Sequence, residues 1–91
     1  MITAIVFVEA AVDRIPEVAA AIAAIEGVSE VYSVTGRIDL IALARVRSHD
    51  EIAGGVADRL NKVDGVKSTE THIAFRAYSR HDLEAAFSLG D

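Results

Sequence analysis

The step Ile25-Glu26-Gly27-Val28 returns later in the chain as Val63-Asp64-Gly65-Val66. In both copies an apolar residue closes an amphipathic run, an acidic residue and a glycine follow, and valine opens a new apolar stretch. Glycine just past the last periodic residue is a helix stop, so the chain passes from helix to strand twice in the same way. Before the first step, Ile15, Val18, Ile22 and Ile25 line one helical face; before the second, Ile52, Val56, Leu60 and Val63 do the same. Two β-α-β halves result, in the order β-α-β-β-α-β. Such a pair builds an α+β fold, the ferredoxin-like split β-α-β sandwich. Right-handed crossovers then leave both helices on one face of a four-stranded antiparallel sheet.

The strands are read at Ile2 to Val8, Val28 to Thr35, Asp39 to Arg47 and, as a long fourth strand, Val66 to Tyr78. Thr35-Gly36-Arg37-Ile38 joins the second and third as a hairpin. Asp13 is the expected N-cap of the first helix, with Pro16 tolerated in its first turn. Ser48-His49-Asp50-Glu51 has the form of a capping box opening the second. Gly54-Gly55 falls inside that second helix at about 1 kcal/mol per glycine relative to alanine, a cost that close packing against another backbone would explain. Ser79 to Leu89 reads as a terminal helical turn or two, with Leu83, Ala86 and Phe87 facing inward. Residues 1–78 therefore form the domain and residues 79–91 a C-terminal extension.

A chain of 91 residues is one domain. At this size only roughly 60–65% of the unfolded surface is buried, so oligomerisation is a natural source of added stability. There is no cysteine, hence neither a disulfide framework nor a thiolate metal site. A formal net charge of −5 argues against direct nucleic-acid binding, which needs a basic face. The N-terminal apolar run lacks a basic flank and is too short for a leader or a membrane span. A cytoplasmic protein without membrane association is expected.

Two helices cover one sheet face only. An exposed opposite face would show polar residues in alternation, yet the first strand has Ile2, Ala4, Val6 and Val8 on one side and Ile5 and Phe7 on the other, and the third has Ile41 and Leu43 on one side and Leu40, Ala42, Ala44 and Val46 on the other. A patch of several hundred Å² is unusual for a monomer. At about 25 cal/mol per Å² its burial is worth many kcal/mol before association costs are subtracted. The expected assembly is a homodimer with the two sheets face to face, resembling an α/β barrel. The competing arrangement folds the C-terminal segment over the same face.

The inventory for catalysis is thin. His49, His72 and His81 form no metal-binding spacing, and no glycine-rich phosphate loop is present, so no metal, cofactor or catalytic residue is assigned. Ser68, Glu70 and His72 share a face of the fourth strand. Residues two apart on one strand stand roughly 7 Å apart, beyond hydrogen-bond reach without unusual bending. Tyr32 and Tyr78 fit core or interface positions with a solvated hydroxyl.

The informative cluster is the hairpin with Thr35, Gly36, Arg37 and Asp39, together with Thr69 and Thr71 on the fourth strand. Turn amides and threonine hydroxyls can hold a carboxylate, and Asp39 can accept hydrogen bonds from an ammonium group. Those are the two ends of a free amino acid. The same residues also satisfy ordinary turn and strand chemistry.

Val31-Tyr32-Ser33-Val34-Thr35-Gly36-Arg37-Ile38-Asp39-Leu40-Ile41 resembles the strand–turn–strand signature of the effector-binding (RAM) domain of Lrp/AsnC transcriptional regulators. Gly65-Val66-Lys67-Ser68-Thr69-Glu70-Thr71-His72-Ile73 is similar to that family's final strand. The resemblance covers residues 1–78. Full-length members carry a preceding helix-turn-helix domain, so the chain looks like a stand-alone RAM protein. It implies dimers through sheet packing and assembly of dimers into octamer-like rings. Small effectors, commonly amino acids, bind between the dimers. By position the effector-binding residues would be Thr35, Gly36, Arg37, Asp39, Thr69 and Thr71. Arg37 is not a fixed part of the family's pattern; its charge would either favour an acidic ligand or be solvated. The resemblance further implies a non-enzymatic sensor acting through assembly or through a partner such as a full-length Lrp/AsnC regulator. The alternative on the same fold is a small dimeric α+β barrel enzyme, a cofactor-free oxygenase or isomerase, with His72 or Tyr32 lining a pocket.

Overall fold

The computed structural model describes residues 1–80. Strand β1 (Ile2–Ala10) leads into helix α1 (Ile15–Ala23), then β2 (Val28–Ser33) and β3 (Leu40–Val46). Helix α2 is continuous but built of three pieces: α-helical His49–Glu51, a π-helical segment Ile52–Val56, and α-helical Ala57–Asn61. Strand β4 (Val66–Ile73) completes the β-α-β-β-α-β order. The sheet runs β2-β3-β1-β4, antiparallel at every junction. This is the ferredoxin-like α+β fold expected from the doubled helix-to-strand step.

Alternation decides what faces the helices. Ala4, Val6, Val8 and Ala10 of β1 and Leu40, Ala42, Ala44 and Val46 of β3 are all buried. They meet Val18 and Ile22 from α1 and Ile52, Val56 and Leu60 from α2. The apolar stripes read from the sequence are thus the ones that build the core.

The repeated glycines hold the two halves together reciprocally. Gly27 has a φ of +97°, and a Cβ there would lie 3.0 Å from Val56 Cγ2 on α2. Gly65 has a φ of +98°, and a Cβ there would lie 2.7 Å from Val18 Cγ2 on α1. Each glycine ends its own helix in a conformation closed to most side chains and lets the helix of the other half approach.

Several local expectations are corrected. Arg14, not Asp13, precedes α1, and no side chain caps that end. At α2 the Ser48 side chain makes no capping bond; Glu51 Oε2 accepts instead from the Arg47 N–H at 2.8 Å. The acceptor reaches one residue further back than in a capping box. Close packing does not explain Gly54-Gly55, since a Cβ at either would meet nothing within 4 Å. The pair sits in the π-helical segment, where the wider turn leaves backbone in the open. Regular β4 pairing ends at Ile73, and beyond it the Ala74 N–H still donates to the Thr3 carbonyl at 2.8 Å. The expected Leu83, Ala86 and Phe87 contacts, and His81, lie outside the described residues.

The sheet face away from the helices carries Ile5, Phe7, Ile41 and Leu43, each only half-buried, and Tyr32, which is exposed. Phe75 and Tyr78, after β4, are exposed as well. Among the described residues nothing covers this face. No helix among them is long and apolar enough to cross a membrane.

Candidate functional site

The β2–β3 hairpin turns at Gly36, whose φ is +113° with nothing within 4 Å of a Cβ position. The turn is closed by the Val34 N–H donating to the Asp39 carbonyl at 3.0 Å. Asp39 is then tied to β1 twice. Its N–H donates to the Val8 carbonyl at 3.0 Å, and its Oδ2 accepts the Ala10 N–H at 2.9 Å. Among the described residues, the N–H groups of Thr35, Gly36, Arg37 and Ile38 make no hydrogen bond within the chain. Four turn donors are therefore open to solvent or to an anion.

The two threonines of β4 lie on the helix side of the sheet, because Val8 pairs with Thr69 and Val6 with Thr71. The Thr69 hydroxyl bonds the Asn61 Oδ1 at the end of α2. Thr71 is exposed.

Beside the turn lies a cleft of about 210 Å³ lined by Arg37, Ile38, Phe7, Glu9, Ser68, Thr69 and Glu70. The structure thus brings Arg37 and Thr69 to one cavity, while Thr35, Gly36, Asp39 and Thr71 stand outside its lining. It also adds Glu9, Ser68 and Glu70, which sequence reasoning did not assign. Their placement follows from sheet register, Glu9 opposite Ser68 and Phe7 opposite Glu70, and register between β1 and β4 needs the strand order before it can be read.

The cleft offers one guanidinium and two carboxylates around a partly aromatic floor. Glu70 also contacts His72: their Oε2 and Nε2 atoms are within hydrogen-bond distance. This corrects the expectation that the pair is out of reach. Both side chains are long and lean toward each other across the 7 Å or so that separates their attachment points. The His72 ring also packs on Phe7, with centroids 5.0 Å apart. His72 and Tyr32 do not line the cleft, and Ser68 makes no bond to either Glu70 or His72. Tyr32 donates to Glu30 Oε2 at 2.6 Å. That hydrogen bond to a carboxylate, with smaller effects of partial desolvation and of the negative charge, raises the phenol above its usual pKa. Among the described residues no cluster of three or more His, Asp or Glu could hold a metal ion.

The sheet order and the two helices on one face define a ferredoxin-like α+β domain. Residues 3–83 match the Lrp/AsnC ligand binding domain family, and the chain belongs to that family. A protein from Thermus thermophilus of known crystal structure is 44% identical; the similarity covers 88% of this chain and 100% of that one, with a TM-score of 0.81. An uncharacterised HTH-type transcriptional regulator from Pyrococcus furiosus is 40% identical over 73 residues, 80% of this chain and 49% of its own length. Another from Bacillus subtilis is 37% identical over 75 residues, 82% of this chain and 44% of its own length. The chain spans about half the length of the curated relatives it matches.

Proposed function

We propose that the chain is a cytoplasmic sensor, not an enzyme, that binds a free amino acid or a closely similar zwitterion and works as a homodimer built through its open sheet face. The observation that carries the ligand class is the Arg37 cleft. The Arg37 guanidinium matches a carboxylate, and Glu9 and Glu70, which line the same cleft, match an ammonium group. The unbonded N–H groups of Arg37 and Ile38, the two turn residues that line the cleft, add donors for the same carboxylate. This distribution transfers the ammonium-binding role from Asp39, whose carboxylate is held by Ala10, to Glu9 and to the Glu70 oxygen that His72 leaves free. Gly36, Thr35 and Asp39 then shape the turn, Thr69 forms part of the wall, and Thr71 is available to a neighbouring subunit.

The cleft shares Phe7 with the open sheet face, which supports its completion by the partner copy packed on that face, with dimers assembling further into an octamer-like ring. Ligand that binds one assembly more tightly than another shifts the balance between them. The regulatory consequence then reaches a partner, for which a full-length Lrp/AsnC regulator is the natural candidate. The enzyme alternative requires His72 or Tyr32 in a pocket, and neither lines the Arg37 cleft.

Thermal unfolding with each of the twenty amino acids at millimolar concentration tests the ligand class. A ligand at a hundred times its Kd adds about 2.7 kcal/mol, a readily measured shift in Tm. The expected result is stabilisation by one or a few amino acids that disappears in Arg37→Gln and in Glu70→Gln. Absence of any shift across the set would refute the proposal.

A further inference from the structure

A second cleft, of about 550 Å³, lies at the other end of the sheet, where Arg45, Arg47 and Arg59 line it with Gly55 of the π-helical segment. Strand β3 separates it from the Gly36 turn by about 20 Å. Three of the chain's nine basic residues therefore gather on one cavity of an acidic protein.

These arginines are not used by the fold. Among the described residues the ion pairs are Arg14–Asp64, Lys62–Asp58 and His72–Glu70, and none of the three belongs to one. Two carboxylates, Glu26 and Glu51, line the same cleft and still form no ion pair with them. Glu51 is turned to the backbone instead, accepting the Arg47 N–H. The three arginines outnumber the two carboxylates of the cleft and pair with neither, which leaves their charge available to a multiply charged anion that bridges them.

The glycine pair points the same way. Neither Gly54 nor Gly55 has a positive φ, and neither is crowded, so the backbone requires glycine at neither. Gly55 lines the cleft, and the open space a side chain there would enter belongs to the cavity. Single-turn π-helical segments inside α-helices are frequent at binding sites.

We infer that this cleft binds a small molecule bearing two or more negative charges, of the phosphate-ester or pyrophosphate kind, through Arg45, Arg47 and Arg59. A volume of this size exceeds that of the charged group alone and leaves room for an organic body. Bidentate geometry favours arginine over lysine for such groups, and the cavity holds three arginines and no lysine.

Titration calorimetry of the full chain with pyrophosphate at low salt is the test. Binding is expected, and each of Arg45→Gln, Arg47→Gln and Arg59→Gln should weaken it about tenfold, the loss of one charge-assisted bond. Gly55→Leu should abolish binding by filling the cleft, with circular dichroism and thermal melting showing that the variant is folded. Lys67→Gln, of equal charge change on β4 and outside the cleft, should leave the affinity as it is. No heat at 10 mM pyrophosphate, or binding that survives all three arginine substitutions, would overturn the site. Tighter binding of a short DNA duplex that displaces pyrophosphate would overturn the small-molecule assignment in favour of a nucleic-acid backbone.

Discussion

The Asp39 carboxylate accepts the Ala10 backbone N–H at 2.9 Å across twenty-nine residues of sequence. The bond falls where β1 leaves its pairing with β3 and where the β1–β4 register shifts between Glu9 and Ala10. An N–H freed by that irregularity, partly buried, needs an acceptor, and Asp39 supplies it. Asp39→Ala should therefore destabilise the protein by about 1.5–3 kcal/mol, the range for a hydrogen bond to a charged group. Asp39→Asn keeps an acceptor and should lose less. Urea unfolding of both variants checks this, and loss of ligand binding in Asp39→Ala must be compared with that stability change before a binding role is assigned.

Gly65 and Gly36 both have a positive φ, but only Gly65 is crowded, a Cβ there coming within 2.7 Å of Val18 Cγ2. Gly36→Ala should cost about 1–2 kcal/mol, the conformational penalty alone. Gly65→Ala adds a clash with a fully buried valine on α1 and should cost about 1–3 kcal/mol more. Chemical denaturation of the two variants side by side should show this order. Equal losses would mean that α1 moves aside without resistance.

How far each feature could be read from the sequence follows from the distance over which its cause acts. The helix stops at Gly27 and Gly65 and the stripes through Val18, Ile22, Val56 and Leu60 are local patterns, and local patterns suffice for the β-α-β-β-α-β order. Asp39 was placed at the correct turn, but its acceptor role depends on Ala10, and a pairing between distant strands has no local signal. Glu9 and Glu70 reach one cleft for the same kind of reason: they meet only where β1 and β4 are neighbours in a given register. The capping box at Ser48 misled because its residue pattern is shared by a helix entry in which Glu51 binds the Arg47 N–H. The π-helical segment left only the unexplained Gly54-Gly55 as its trace.

The Tyr32–Glu30 contact predicts a pH dependence with a definite sign. The phenol is raised in the folded state, so between the unfolded value of about 10 and the folded value the native protein holds more protons than the unfolded chain. Stability then falls as pH rises through that interval. The contribution is complete below pH 10 or so and vanishes as Tyr32 ionises in the fold. In a Tyr78→Phe background, which leaves one tyrosine, absorbance at 295 nm should titrate above the free-phenol midpoint. Glu30→Gln removes the carboxylate acceptor and its charge, and the midpoint should move back toward 10.

The open sheet face supplies the last prediction. Phe7 and Leu43 stand near its centre, each half-buried in the isolated chain, with Ile5 and Ile41 beside them as cross-strand partners, Ile5 opposite Leu43 and Phe7 opposite Ile41. Such a surface has an apolar centre with Glu9, Glu30, Arg45 and Glu70 around it, the arrangement of an interface core with a polar rim. Two copies packed face to face would bury these residues completely, and sedimentation at micromolar concentration should give about twice the 9.7 kDa chain mass. Leu43→Glu places a charge where the partner leaves it unpaired and desolvated, at a cost of several kcal/mol. It should shift the sedimenting species to 9.7 kDa while leaving the helix-packed core intact. Ala20→Glu, on the exposed side of α1, introduces the same charge and should leave the mass at the dimer value. A Leu43→Glu protein that still sediments as a dimer would locate the self-association elsewhere on the molecule.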